Sequence, residues 1–382
     1  MRFKLWMLTL AALCMRFPSL CQSPQDAQDL EERGNWQSAE EIWRKLAAQA
    51  PGDYRLWTSL GIALAHEDKF DAATAAYLKA LSLKPNNPQV ELNLGIAYFK
   101  AGKLPQAVDP LRSAAAQLPG NPQAETLLGM TLFGTGHYKE AIPYLERTRT
   151  REPQNSALER VLAQSYLEAG EYPKALAEFK EMLERDPDSA AVHMLLGEAY
   201  DAQGEPDKAI AEFRTATEKS YVPDAHFGLG YLFWKTRRYD EAKIEFQREL
   251  EHDPKHSQAL MYLGDIALKQ GDGQQAAALL HKATALKDNS RLAYLDLGIL
   301  ETQEKQYAAA ERDLKQAANL DPKKPDAYYR LARVYQATGQ TAEADRELAR
   351  VKQLHEQTRE DDLLKVSGAP GKPQPQQALP QN

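Results

Sequence analysis

The sequence predicts an all-α protein, an α-solenoid of about ten helical hairpins, and three periodic features carry this prediction. An alanine recurs every 34 residues, with a single shorter interval of 33 between Ala209 and Ala242. A small residue stands twelve positions before each of these alanines, and a large apolar residue stands four positions after each. Three residue classes that stay in phase over ten periods indicate a repeat array rather than one globular core.

The three classes cover most of the chain. The recurring alanines are Ala39, Ala73, Ala107, Ala141, Ala175, Ala209, Ala242, Ala276, Ala310 and Ala344. The small residues before them are Ala27, Gly61, Gly95, Gly129, Ala163, Gly197, Gly230, Gly264, Gly298 and Ala332. The large apolar residues after them are Trp43, Tyr77, Leu111, Leu145, Phe179, Phe213, Phe246, Leu280, Leu314 and Leu348.

Each period is long enough for two helices joined by a tight turn. In the second period, Trp57, Leu60 and Leu64 share one face of a first helix, and Ala73 and Tyr77 repeat the helical spacing in a second helix. The small residue of the first helix and the alanine of the second let the two backbones approach closely, because neither side chain occupies the crossing point. We therefore expect a helical hairpin in each period, with the large apolar residue filling the gap beside the crossing.

The order of these residues resembles the tetratricopeptide repeat, and the residues that carry the likeness in the second period are Trp57, Leu60, Gly61, Leu64, Ala73, Tyr77, Ala80 and Pro85. The same pattern recurs, with substitutions, from about residue 20 to residue 358. The resemblance implies a right-handed superhelix whose first helices line a concave groove that takes peptides or other proteins. Such a pattern specifies the fold but does not name the partner.

The sequence divides into a signal peptide at residues 1–21, a repeat array at residues 22–358 and a disordered tail rich in proline and glutamine at residues 359–382. The tail is either a plain terminus or a proline-rich ligand of some partner. The repeats are predicted at about residues 20–53, 54–87, 88–121, 122–155, 156–189, 190–222, 223–256, 257–290, 291–324 and 325–358.

The N-terminal segment has the features of an export signal. Two basic residues precede an apolar run at residues 5–15, which is too short to span a bilayer and has the length of a signal-peptide core. Small residues favour cleavage after Cys21, which would start the mature chain at Gln22. Leu20 disfavours a lipoprotein anchor, because that anchor needs a small residue just before the cysteine. We expect an exported protein, periplasmic or extracellular, with no membrane span in the mature chain.

Composition and motifs argue against several function classes. The chain has 54 acidic and 47 basic residues and a net charge of −7, which lacks the basic footprint of a nucleic-acid binder. Its cysteines are Cys14 and Cys21, so disulfides, cysteine-ligated zinc and a cysteine nucleophile are excluded from the array. No P-loop, G-x-G-x-x-G or H-E-x-x-H motif occurs. The sequence therefore predicts a protein that is not an enzyme, with no cofactor, metal or catalytic site.

The concave groove can be examined residue by residue. In related repeats, a carboxylate clamp for chaperone C termini needs lysine and asparagine where this chain has Thr58 and Ile62, although the asparagine of the next repeat is present as Asn93. The clamp is therefore absent.

An aromatic stripe offers a different binding surface. Phe227, Tyr231 and Trp234 follow the spacing i, i+4, i+7 on the first helix of the seventh repeat, flanked by Met194 and Met261 in the neighbouring repeats. Exposed aromatic side chains beside flexible methionines suit an adaptable groove for a peptide. Two alternatives stay open: these residues are extra core between hairpins, or they hold a ligand other than a peptide.

We interpret the chain as a non-enzymatic protein–protein interaction scaffold of the bacterial cell envelope, which binds protein or peptide partners in its groove. The alternative is an accessory subunit that binds glycan or lipid-linked substrate for a separate envelope enzyme. Aromatic faces suit both kinds of ligand. The sequence leaves the partner, the pathway and the oligomeric state open.

Overall fold

The computed structural model describes residues 23–286 and 290–367. Within these residues the chain forms twenty α-helices and no strand, so the predicted all-α solenoid is confirmed. The predicted signal peptide, its cleavage site after Cys21 and the tail beyond Ser367 lie outside the described residues. Among the helices that the structure describes, none is both long and apolar enough to cross a membrane.

The chain forms two compact units, Met1–Glu181 and Met182–Asn382, and the boundary falls within α10. The helices that begin in the first unit are α1 Pro24–Glu32, α2 Trp36–Gln49, α3 Tyr54–His66, α4 Phe70–Leu83, α5 Pro88–Lys100, α6 Leu104–Gln117, α7 Pro122–Gly134, α8 Tyr138–Arg151, α9 Ser156–Glu168 and α10 Tyr172–Arg185. Those of the second unit are α11 Ala190–Gln203, α12 Pro206–Lys219, α13 Ala225–Lys235, α14 Tyr239–His252, α15 Ser257–Gln270, α16 Gly273–Ala285, α17 Arg291–Gln303, α18 Tyr307–Leu320, α19 Pro325–Ala337 and α20 Thr341–Ser367.

The helices stack in chain order within each unit. From α1 to α9, and again from α11 to α20, each helix packs against the next one along the chain. The odd-numbered helices, which are the first helices of the hairpins, also contact one another from α3 to α9 and from α11 to α19. In each unit these first helices therefore form a continuous row, and we call the surface of that row the first-helix face.

The predicted helix crossings are present in both units. All ten recurring alanines are completely buried. A Cβ placed on Gly61 would lie 2.4 Å from the ring of Tyr77, sixteen residues later, so only glycine allows this approach. The same offset relates six further pairs: Gly95 and Leu111, Gly129 and Leu145, Gly197 and Phe213, Gly230 and Phe246, Gly264 and Leu280, and Gly298 and Leu314. The large residue of each hairpin thus packs directly onto the glycine of that hairpin.

Local capping explains where many hairpins begin. The side chains of Asn87 and Asn121 accept hydrogen bonds from the backbone N–H groups of Val90 and Ala124, and a proline follows each asparagine at the first helical position.

The last helix extends further than the sequence suggests. The predicted array ends at residue 358, but α20 continues to Ser367. Residues 359–367, which the sequence places in the disordered tail, are therefore helical. The physical reason is compositional: this stretch contains no proline or glycine, so nothing in it interrupts the helix.

Candidate partner-binding site

The seventh hairpin begins in an unusual way. Its first helix, α13, has only 11 residues, and Asp224 before it adopts a left-handed conformation with φ of 66° and makes no side-chain cap. The buried carboxylate of Glu249, on α14, instead accepts hydrogen bonds from the backbone N–H of Asp224 at 3.3 Å and of Phe227 at 3.1 Å. An acidic side chain from the second helix of the hairpin therefore takes the place of the usual local cap.

The sequence contains a signal for this cap, in the form of a departure from the repeat pattern. Glu249 stands three residues after the large apolar Phe246. In five other repeats the same place holds alanine: Ala80, Ala114, Ala216, Ala283 and Ala317. Glu249 is thus a charged residue at a position that is usually a buried alanine, and it occurs in the repeat that follows the shortened one. This substitution is the sequence signal for the cap.

Phe227, Tyr231 and Trp234 lie on one face of α13 and are all half-buried. Each packs against Tyr262 of α15, with ring centroids 6.0 Å apart for Phe227, 5.6 Å for Tyr231 and 4.8 Å for Trp234. The sequence analysis did not predict Tyr262 as a site residue. Tyr262 occupies the same repeat position as Asn93, the asparagine discussed for the carboxylate clamp. The aromatic stripe is thus held in place by the neighbouring hairpin.

Trp234 is tied to α15 by polar contacts as well. Its indole N–H donates a hydrogen bond to Asp265, which is only 3% exposed, and Asp265 also pairs with Lys269. The Lys269 amine lies 5.5 Å from the centroid of the Trp234 ring. Trp234 therefore serves mainly as a contact between the seventh and eighth hairpins.

A cavity of about 430 Å³ opens between α11 and α13, with further lining residues from α12 and from the first turn of α15. Aromatic side chains wall it: Phe213, Phe227 and Tyr231. The remaining lining residues are Glu198, Asp201, Ala202, Asp224, Gly228, Leu232 and Gln258. A volume of this size is within the range of natural ligand pockets.

Two glycines determine the position of the Phe213 wall. A Cβ on Gly197 of α11 would lie 2.5 Å from the Phe213 ring, and a Cβ on Gly228 of α13 would lie 2.4 Å from it. Gly228 is not one of the recurring small residues, since that place belongs to Gly230. The extra glycine lets α13 sit directly against the ring.

The structure separates the five predicted site residues. Phe227 and Tyr231 line the cavity, whereas Trp234 packs towards α15. Met194 is half-buried on α11 and is not among the lining residues. Met261 is a correction to the sequence-based site: it is 5% exposed and belongs to the apolar core formed with α16 and α17. A flexible methionine readily fills such an internal gap.

A buried acidic pair lies next to this aromatic region. Asp296 of α17 is 3% exposed, and its Oδ2 atom has no hydrogen-bond partner among the described residues. Burial, and then the nearby carboxylate of Asp265, raise the pKa of Asp296 to about 8. At neutral pH its carboxyl group is therefore mostly protonated.

Two groups of side chains in the described residues have the spacing of metal ligands, and both already have other partners. The first group consists of Asp224, Glu249 and His256. The Nδ1 atom of His256 accepts a hydrogen bond from the backbone N–H of Ala259, so the ring proton is on Nε2. This Nε2–H group donates a hydrogen bond to Asp224, with 2.9 Å between the nitrogen and the carboxylate oxygen. In the second, Arg149 pairs with Glu178 and Glu181. Neither group offers a set of free ligand atoms.

The comparisons with known proteins agree with this architecture. Two family models described as tetratricopeptide repeat match the chain, one at residues 64–131, 100–165, 132–199, 166–226 and 301–361, the other at residues 26–91 and 227–291. No curated protein sequence matches it.

Several solved structures are similar in fold. The hetero-tetramer of Cut9 and Hcn1 from the APC/C is 17% identical, with a TM-score of 0.52, over 86% of this chain and 79% of that chain. A tetratricopeptide repeat protein from Parabacteroides merdae is 17% identical, with a TM-score of 0.40, over 64% and 96% of the two chains. YrrB, described as having an unusual peptide-binding site, is 22% identical, with a TM-score of 0.42, over 50% and 97%.

The first of these likenesses supports the fold alone. The family models carry the assignment, because together they match well over half of the sequence, from residue 26 to residue 291 and again from residue 301 to residue 361. The chain belongs to the tetratricopeptide repeat family.

Proposed function

We propose that this protein is a non-enzymatic scaffold of the bacterial cell envelope, which binds a peptide segment of a partner protein in the cavity between α11 and α13. Repeats of this family are protein-interaction modules, so the chain is a protein–protein interaction scaffold. The observation that carries the location of the site is the open cavity with half-buried Phe227 and Tyr231 in its wall.

Physical features of this wall favour binding. Aromatic side chains concentrate interface energy, and Phe227 and Tyr231 keep part of their surface in water until a ligand covers it. Tyr262 supports both rings from the side of α15. Because the rings are already fixed, a ligand would lose little affinity to ordering them.

The proposed location depends on the N-terminal segment. An apolar run at residues 5–15, with basic residues before it and small residues before Gln22, supports export across the bacterial inner membrane. N-terminal sequencing of the protein from fractionated cells should find Gln22 as the first residue, in the exported fraction. Recovery of intact Met1 in the cytoplasmic fraction would contradict the envelope assignment.

The binding site can be tested in the exporting cell with a photo-reactive phenylalanine analogue. Gln258 is exposed and lines the cavity, so the analogue at this position should crosslink to a partner protein. Tyr231→Ala in the same chain should abolish that adduct. Ile244 is 48% exposed on α14 and does not line the cavity, so the analogue there provides the control.

The outcome decides between the proposed function and its alternatives. A protein adduct specific to position 258 supports the peptide-binding site. A glycan or lipid adduct at that position would favour an accessory subunit for an envelope enzyme. Identical adducts at positions 258 and 244, or none at either, would refute the site.

A further inference from the structure

We infer that the segment held in the cavity between α11 and α13 presents a basic side chain, arginine or lysine, to an acidic rim. This inference rests on the proposed peptide-binding function and adds the chemical class of the ligand. Glu198 and Asp201 of α11 and Asp224 before α13 all line the cavity. Among the described residues that line it, none is lysine, arginine or histidine.

The combination of acidic rim and aromatic wall selects a particular kind of group. A guanidinium stacks on aromatic faces and binds carboxylates with its planar edge, and a lysine offers a long apolar stem below its charge. Phe227 and Tyr231 supply the faces and Asp201 a carboxylate beside them. An acidic segment would meet like charges here, which disfavours it.

A lysine of the chain itself already makes the contacts that we propose for the basic side chain of the ligand. Lys235, one turn after Tyr231 on α13, places its amine 2.7 Å from Asp201 and 5.9 Å from the centroid of the Tyr231 ring. The Lys235 side chain is 47% exposed, and ion pairs at such positions contribute little to stability. An incoming cation can therefore replace Lys235 at small cost.

Two of the rim carboxylates pair with side chains that lie outside the cavity lining. Asp201 pairs with Lys235, and Asp224 contacts the imidazole of His256. The lining itself therefore carries three carboxylates and no basic side chain. This distribution of charge makes the rim complementary to a basic segment.

Selection of random dodecapeptides displayed on phage, with the purified full chain as bait, tests the inference. We expect arginine or lysine at a fixed place in the selected peptides. Replacing that residue with citrulline or norleucine in a synthetic copy should weaken binding by about tenfold or more.

Variants of the protein separate a specific rim from a general effect of charge. Glu198→Gln with Asp201→Asn should weaken binding of the basic peptide about tenfold and leave the citrulline or norleucine copy nearly unaffected. Asp240→Asn with Glu251→Gln removes the same charge from exposed positions on α14 and should change the affinity by less than about twofold. Lys235→Gln should increase the affinity, because it removes the internal competitor.

The possible failures are distinguishable. Selected peptides that lack a basic residue, or that lose equal affinity in both double variants, would overturn the acidic rim while keeping the binding site. Peptides whose binding is unchanged by Tyr231→Ala would overturn the cavity itself, and with it the proposed function.

Discussion

Asp296→Asn should stabilise the second unit above neutral pH. Burial, followed by the charge of Asp265, raises the pKa of Asp296 from its ordinary 3.8 to about 8, against the opposing effect of Lys269, Arg330 and Arg291. Between these two pH values the folded protein retains a proton that the unfolded chain releases. Stability contributed at this position is therefore greatest below about pH 4 and falls as the pH rises towards 8.

The magnitude follows from that difference in pKa. One pKa unit corresponds to about 1.4 kcal/mol, so ionised Asp296 lowers the free energy of unfolding by about 6 kcal/mol above pH 8. Asparagine avoids the charge, but its buried amide also lacks a full set of partners, which costs about 1–3 kcal/mol. The variant should exceed the natural chain by about 3–5 kcal/mol at pH 8.5, and the advantage should disappear between about pH 4.5 and about pH 6, where the cost of ionising Asp296 equals that of the buried amide.

Urea unfolding at several pH values between 4.5 and 8.5 measures this directly. Glu301, whose pKa is raised to about 7 by burial and then by Asp313, contributes a pH dependence of the same sign. Glu301→Gln combined with Asp296→Asn should therefore flatten the profile further, whereas exposed Asp240→Asn should leave it unchanged. If the natural chain and Asp296→Asn gave parallel profiles over the whole range, the reasoning about Asp296 would be refuted.

Three further predictions concern α13 and its contacts. Glu249→Ala should cost about 2–3 kcal/mol, since two backbone N–H groups lose their acceptor, and hydrogen exchange of the Phe227 amide should accelerate. Gly228→Ala should cost about 1–3 kcal/mol, because its Cβ would overlap Phe213, and Gly52→Ala, which has open space, is its control in thermal melts. Trp234→Ala should lower the free energy of unfolding by about 2–4 kcal/mol, because Asp265 loses its indole donor. If Trp234→Ala destabilised the protein less than Tyr231→Ala does, the assignment of Trp234 to the hairpin interface would be contradicted.

The fold was predictable because its determinants repeat. Seven hairpins, including that of Gly61 and Tyr77, contain a glycine paired with a large apolar residue sixteen positions later. The helix assignment in one period is therefore supported by the same pattern in the others. Helix stacking then follows from the residues of each hairpin and its nearest neighbours, and needs no long-range information.

The site was predictable only in part, because it depends on contacts between periods. Phe227 and Tyr231 could be found from helical spacing on α13. Tyr262 belongs to the next period, and the register between two hairpins decides which ring it meets. Met261 shows the opposite failure, since spacing alone does not tell whether a residue at the edge of the first-helix face points outwards or into the core.

The cap from Glu249 has a consequence for engineering. The backbone of Phe227 is fixed by a residue of α14, so the wall of the cavity is a property of the whole hairpin and of the shortened junction before it. Substituting Phe227, Tyr231 and Trp234 into another repeat would transfer the side chains without the backbone conformation that orients them. A recipient hairpin would also need a glutamate at the position of Glu249 and the one-residue deletion in the preceding repeat. The binding specificity of this protein should therefore be transferred by exchanging complete repeats rather than individual side chains.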